Sequence, residues 1–131
     1  MAKLMVTSDE IAQLLVGAGA QGWTVVTMGA IAVPESGRNA YAVNVNHSPD
    51  KPSHRSIDVG LFQINTFYNP KQAIKDLLDP EYNVRAALQI LASAGGPPNG
   101  YARWNTYKAG SHAPHLTEAR AAARRIGVPG V

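Results

Sequence analysis

The apolar pattern divides the chain into helical stretches around one polar excursion. Between Thr7 and Ala20, Ile11, Leu14, Leu15 and Ala18 recur at i, i+3, i+4 and i+7, which is one face of a helix. Thr7 followed by Glu10 matches a capping box at its start, while Gly17 and Gly19 weaken its end. Trp23 to Val33 is apolar nearly all round and predicts a helix buried in the core. Thr24, Val25 and Val26 would also suit a buried strand, but the length, the alanines and Met28 favour helix. Pro34 cannot continue an ordinary ladder, so this helix is expected to end or kink there, delivering Glu35 to an edge.

The excursion runs from Arg38 to Ser56 and is rich in Asn, Ser, Pro, Asp and His. Tyr41 to Asn46 alternates briefly, and Ile57-Asp58-Val59 can pair with it, which predicts a small irregular hairpin. Its tip, His47 to Arg55 with Pro49 and Pro52 in the turn, is expected to be exposed and mobile. Helical signals then resume. Asn69-Pro70 reads as cap and first position of a helix to about Leu78. Asp79-Pro80 repeats the signal for a helix with Val84, Ala87, Leu88 and Leu91 inward, stopping near Gly95-Gly96. Tyr101 to Tyr107 reads as a short aromatic helix or turn ending at Gly110. The last helix runs from about Ala113-Pro114 to Ile126, with Leu116, Ala119, Ala123 and Ile126 inward and Arg120, Arg124 and Arg125 on a solvated face. The tail from Gly127 to Val131 is expected to be loose. The pattern predicts a mainly α protein, a helical bundle with a small β-hairpin wing.

Composition narrows the reading. At 131 residues, one domain spanning 1–131 is expected. Apolar residues make up 45% and charged residues 16%, enough for a core and too few charges for disorder. With no cysteine, neither a disulfide nor a thiolate metal site is available. A net charge of +3 is too small for a nucleic-acid footprint but suits approach to an anionic polymer such as a bacterial wall. The apolar run from Trp23 to Val33 is shorter than the roughly 18 residues of a membrane span. Met1 to Val6 lacks the long apolar region of a secretory signal, which predicts synthesis in the cytoplasm.

Two carboxyl groups frame the excursion. Glu35 follows a buried apolar element, where burial disfavours the charged form and raises the pKa, as a general acid needs. Asp58 lies across the proposed hairpin, and two carboxylates in different surroundings can divide acid and stabilising roles between them. Gln63 and Asn65 offer amide groups suited to sugar hydroxyls and N-acetyl groups. Tyr101, Trp104 and Tyr107 offer flat faces with polar edges for a saccharide groove. Each has a plainer role: Glu35 as a surface residue, Asp58 bonded to hairpin backbone, Gln63 and Asn65 as turn formers, the aromatics as core. His47, His54, His112 and His115 read as surface residues, and no metal site is expected.

Together these residues form a recognisable set. Glu35-Ser36-Gly37, then Ser56 to Asn65 with its run Asp58-Val59-Gly60-Leu61-Phe62-Gln63-Ile64-Asn65, then Leu78 to Val84, then Tyr107-Lys108-Ala109-Gly110, resembles the lysozyme-like superfamily. The chain looks most like bacterial and phage lytic transglycosylases, especially small ones associated with secretion systems. The run from Asp58 is also similar to animal-type lysozymes. The resemblance implies an α+β lysozyme-like fold whose wing forms one side of a substrate cleft. It implies Glu35 as catalytic acid/base and Asp58 as the second carboxylate of the animal-type enzymes. Ser36, Gln63, Asn65, Tyr101, Trp104 and Tyr107 are then the candidate substrate-binding residues. The sequence departs from the family's Ala-Tyr-Asn-Ala-Gly block at Thr106 and Lys108, and Pro34 before the acid is unusual. The implied substrate is peptidoglycan, with no cofactor. The implied reaction cuts the β-1,4 bond between N-acetylmuramic acid and N-acetylglucosamine, by hydrolysis or by transglycosylation to a 1,6-anhydro product. The expected setting is a phage lysin, a phage-particle component or a protein exported by a secretion machine. The alternative is a non-catalytic wall-binding or virion structural protein on the same scaffold.

Overall fold

The computed structural model describes residues 3–47 and 55–131, with the side chains of His47 and Arg55 outside the description. The hairpin tip, and with it the readings of His54 and of the His47 side chain, lies outside the described residues.

Helix α1, Ser8–Gly17, starts as its sequence demands. The Thr7 hydroxyl accepts from the Glu10 N–H and the Glu10 carboxylate accepts from the Thr7 N–H, both at 3.1 Å. Helix α2, Trp23–Ser36, buries Val25, Val26, Met28, Ala30, Ile31 and Ala32. It continues past Pro34 to Ser36, so the helix does not end where an end or a kink was expected. Proline removes one N–H donor, but the buried turns before it hold the helix, and Gly37 closes it in the left-handed conformation at φ 63°. The Gly37 N–H donates to the Val33 carbonyl at 2.7 Å. Glu35 therefore occupies the last turn of a core helix rather than a loop. The chain after it is pinned by the N-terminal segment: Val6 N–H donates to Arg38 O at 2.9 Å and Ala40 N–H to Leu4 O at 2.8 Å.

The wing is a three-stranded antiparallel sheet of β1 (Val43–His47), β2 (Arg55–Val59) and β3 (Ile64–Asn65), in that order. The register sets Asn44 opposite Asp58 and Asp58 opposite Asn65, while Val43 faces Val59 and Val59 faces Ile64. Directly opposed residues share a face, so one face is polar and the other apolar. The third strand was not foreseen, because two residues carry no periodic signal.

The turn between β2 and β3 is tied to helix α4 (Pro80–Ser93) by Asn83, which is wholly buried. Asn83 Oδ1 accepts from Phe62 N–H at 3.0 Å, and its Nδ2 donates to the Val59 and Leu77 carbonyls, each at 2.9 Å. Gly60, at φ 80°, passes so close that a Cβ there would overlap the Asn83 amide and the Leu77 carbonyl. Asp79 caps α4 as expected, accepting from Glu81 N–H at 2.9 Å.

Asn69-Pro70 does not open a helix. Asn69 bonds backward instead, its Nδ2 to Asn65 O at 2.9 Å, and helix α3 is only Ile74–Leu77. After α4 come a 3-10 turn at Asn99–Arg103, helix α5 at Asn105–Lys108, a 3-10 turn at Ala113–His115, and helix α6 at Leu116–Arg125. Helix α2 packs against both α1 and α6, and the buried side chains form one cluster that includes Phe62, Leu61 and Trp104 from the cleft side. The tail is not loose: Val131 is buried, and Arg120 and Arg124 donate their Nε to its main-chain oxygen at 3.2 and 2.9 Å. Arg120 also lies 5.0 Å over the Trp23 ring, so only part of the arginine face is solvated. No described helix is long and apolar enough to cross a membrane.

Candidate active site

The sheet's polar face and the end of α2 look onto a cleft of about 390 Å³. Glu35 enters from α2, Asp58 and Asn46 from the sheet, Gln63 and Asn65 from the turn and β3, and Arg103, Trp104 and Asn105 from the segment before and into α5. A larger opening of about 620 Å³ between α1 and the tail is lined by Val16, Ile126 and Val128 among others and holds no carboxylate.

Glu35 is half-buried. Burial pushes its pKa above the usual carboxyl value, a hydrogen bond from the Thr106 hydroxyl to Oε2 pulls the other way, and the nearby Asp58 charge adds to the rise. Asp58 is held differently. Asn46 Nδ2 donates to its Oδ2 at 2.7 Å and Asn65 Nδ2 to its Oδ1 at 3.0 Å, so both oxygens are oriented by amides. The antiparallel register produces this arrangement, since Asn65 opposes Asp58 and Asn46 lies two residues along β1 on the same face. The site thus pairs a carboxyl pressed toward its protonated form with a carboxylate fixed by neutral donors. That is the division of roles general-acid chemistry at an acetal uses.

The amides of Gln63 and Asn65 are largely committed to the protein. Gln63, at φ 48°, donates Nε2 to Ala42 O at 3.1 Å and Gly60 O at 3.0 Å and accepts from Asn44 Nδ2 at 2.6 Å. Asn65 Oδ1 accepts from the N–H groups of Phe67 and Tyr68 at 2.9 and 3.1 Å. Both line the cleft, but they also hold the sheet and its turn in shape.

The aromatic residues separate. Trp104 lines the cleft as floor: it is 6% exposed, its Nε1 donates to Phe62 O at 3.0 Å, and it meets the Phe62 ring edge-on. Tyr101 and Tyr107 are not among the residues lining the cleft. Tyr101 is buried with its hydroxyl on Thr24 Oγ1 at 3.3 Å, and Tyr107 sits between the Tyr101 ring at 5.2 Å and the His112 ring at 4.6 Å. Their flat faces are taken up by each other and by His112, while the Tyr101 hydroxyl ties the segment to α2. Ser36 is not among the cleft residues either; its hydroxyl bonds back along α2, donating to Ala32 O at 3.0 Å. His112 is half-buried, its ring stacked on Tyr107 and its buried Nδ1 without a hydrogen-bond partner among the described residues. No cluster of three or more His, Cys, Asp or Glu suited to a metal occurs among the described residues.

The sequence reading missed Asn46, Tyr68, Asn69, Ile90, Arg103 and Asn105 in the cleft and Thr106 behind it. Asn46 was within reach, because its parity in β1 is that of Asn44, opposite Asp58. Thr106 bonds to a residue 71 positions away, and in the sequence it stands out only as a departure from the family's block.

The whole cleft falls within a single family match. A crystal structure of a lysozyme from Litopenaeus vannamei shares the fold at a TM-score of 0.68, with 24% sequence identity over 88% of this chain and 97% of that one. No curated protein matches in sequence. Residues 12–106 match the lysozyme-like domain, a span that holds Glu35, Asp58 and Trp104 and ends at Thr106. The chain belongs to the lysozyme-like domain family.

Proposed function

We propose that this protein is a peptidoglycan-cleaving glycosidase, a muramidase with Glu35 as its general acid. The observation that carries this reading is the Glu35 carboxyl, held at the end of a buried helix with its charged form disfavoured, in the same cleft as the amide-oriented Asp58. Family membership and the fold supply the substrate class.

In the proposed reaction, a glycan strand lies along the cleft with one β-1,4 linkage between the carboxyl groups. Protonated Glu35 gives its proton to the glycosidic oxygen as the C–O bond breaks, and N-acetylglucosamine leaves as an alcohol. Positive charge develops at C1 of the N-acetylmuramic acid, and the Asp58 carboxylate stabilises it or bonds to it. Glu35, now ionised, takes a proton from the incoming water, which completes hydrolysis and restores the acid. Asp58 favours this version, since an oriented carboxylate facing the acid is what a hydrolase uses. In the transglycosylase version the muramic acid's own 6-hydroxyl replaces water, Glu35 removes its proton, and the product is a 1,6-anhydro sugar.

Mass spectrometry of the soluble fragments released from purified peptidoglycan tests the reading. Fragments with reducing N-acetylmuramic acid ends are expected. Anhydro ends would replace hydrolysis by transglycosylation. No fragments from several wall types would overturn the enzymatic reading in favour of a wall-binding or structural role.

A further inference from the structure

We propose that Thr106 is a positioning residue that fixes the Glu35 carboxyl from behind the cleft and leaves Oε1 as the oxygen carrying the working proton. The proposal rests on the reading of Glu35 as the acid and adds how that acid is aimed.

The Thr106 hydroxyl donates to Glu35 Oε2, while Oε1 has no protein partner among the described residues. Thr106 is not among the residues lining the cleft, and its route to the chemistry is through Glu35. Its own place is fixed on both sides. Two residues earlier, Trp104 is buried and bonded through Nε1 to Phe62 O at 3.0 Å. Beyond it, Ser111 N–H donates to the Thr106 carbonyl at 2.8 Å, closing the end of α5. A threonine on a helix has two main rotamers, and the bond to Glu35 selects the one that points the hydroxyl at Oε2.

The same bond serves both protonation states. When Glu35 is ionised, Thr106 donates to a carboxylate oxygen. When Glu35 is protonated on Oε1, Oε2 is the carbonyl oxygen and still accepts. The proton therefore stays on the oxygen free to face the glycosidic bond, and no reorganisation of α5 is needed between acid and base steps. Burial raises the Glu35 pKa and the Thr106 bond moderates that rise. The bond favours the ionised form, which Glu35 needs once it has given up its proton. Other titratable or charged groups nearby are Asp58 on β2, Arg103 in the 3-10 turn and Tyr68 after β3, which share the cleft, and Tyr107 and Lys108 on α5. Asp58 alone of these acts on Glu35 as a charge.

The test compares Thr106→Val, which keeps the branched shape and removes the donor, with Thr106→Ser, which keeps the donor. In Thr106→Val, kcat on peptidoglycan is expected to fall about 10- to 100-fold with KM unchanged. The basic limb of the pH–rate profile should move to higher pH, because the donor that favoured the carboxylate is gone while burial remains. Thr106→Ser should restore both. Carboxyl 13C NMR of Glu35 gives a readout independent of turnover: its titration should move to higher pH in Thr106→Val. If Thr106→Val is poorly folded, Thr106→Ala takes its place in both measurements. An unchanged kcat and pH limb, or an unchanged NMR titration, overturns the proposal. Activity surviving in Glu35→Gln would instead remove the acid reading, with the NMR titration still deciding whether Thr106 holds the carboxyl.

Discussion

Replacing Asn83 by alanine should cost more than any single change on the protein's surface, because one amide closes three buried backbone groups at once. Asn83 is 0% exposed and bonds Phe62 N–H, Val59 O and Leu77 O at 2.9–3.0 Å. Removing the side chain takes a buried hydrogen bond from one donor and from each of two acceptors. Each such group costs about 1–3 kcal/mol, and partial relaxation makes the sum less than additive. We expect a loss of about 3–5 kcal/mol, a large part of the roughly 5–15 kcal/mol that holds a domain together. That corresponds to a fall of about 10–20 °C in Tm for a chain of this size. Asn83→Asp probes the same knot with nearly the same shape. It keeps an acceptor for Phe62 N–H but turns an oxygen toward two carbonyls, so at neutral pH it should lose at least as much. Lowering the pH should recover part of the loss, since a protonated carboxyl can donate to one carbonyl. Urea and thermal unfolding followed by circular dichroism measure both variants. A loss below about 1 kcal/mol for Asn83→Ala would refute the claim that this amide holds the turn between β2 and β3.

Three further outcomes follow from the same geometry. Gly60→Ala should lose roughly 3 kcal/mol or more in urea unfolding, because φ is positive there and the new Cβ would meet the Asn83 amide and Leu77 carbonyl; wild-type stability would contradict the packing. Glu35 has a raised folded-state pKa, so its contribution is fully present below the ordinary value of 4.5 and is lost as pH rises through the folded value. Glu35→Gln should therefore match wild-type Tm in acid and exceed it near neutrality, and a difference that is flat with pH would sink that argument. Asp58→Asn should keep its fold and lose about 100-fold or more in kcat if Asp58 stabilises the developing charge, whereas near-normal turnover would point to transglycosylation.

Much of the fold was legible wherever a signal is local. The Thr7–Glu10 box and the Asp79-Pro80 cap depend on neighbours a few residues apart, the pairing of β1 with β2 on partners 8 to 16 residues apart across one hairpin, and each is present. The misreadings fall where buried packing or a competing local bond overrides the expected preference. Pro34 looks like a helix stop, yet the buried turns of α2 and the Gly37 cap carry the helix to Ser36. Asn69-Pro70 looks like a helix start, yet Asn69 is drawn back to Asn65. For the site, Glu35 was visible because a carboxyl after an apolar run is conspicuous, Asp58 because it sits across the proposed hairpin, and the structure gathers both in one cleft. Tyr101 and Tyr107 were indistinguishable from groove walls, since an aromatic face looks the same in a core and on a platform until its neighbours are known. Thr106 and Asn83 act across the fold, on partners that sequence spacing does not bring together.

The central claim is that Glu35 supplies the proton for bond cleavage. The most direct measurement is the rate of fragment release from purified peptidoglycan at neutral pH by wild-type protein and by Glu35→Gln, with circular dichroism showing both folded. A rate lower by about 1,000-fold or more in Glu35→Gln, with wall binding intact, is the predicted result. A variant that retains a tenth or more of wild-type activity would contradict the assignment of Glu35 as the acid.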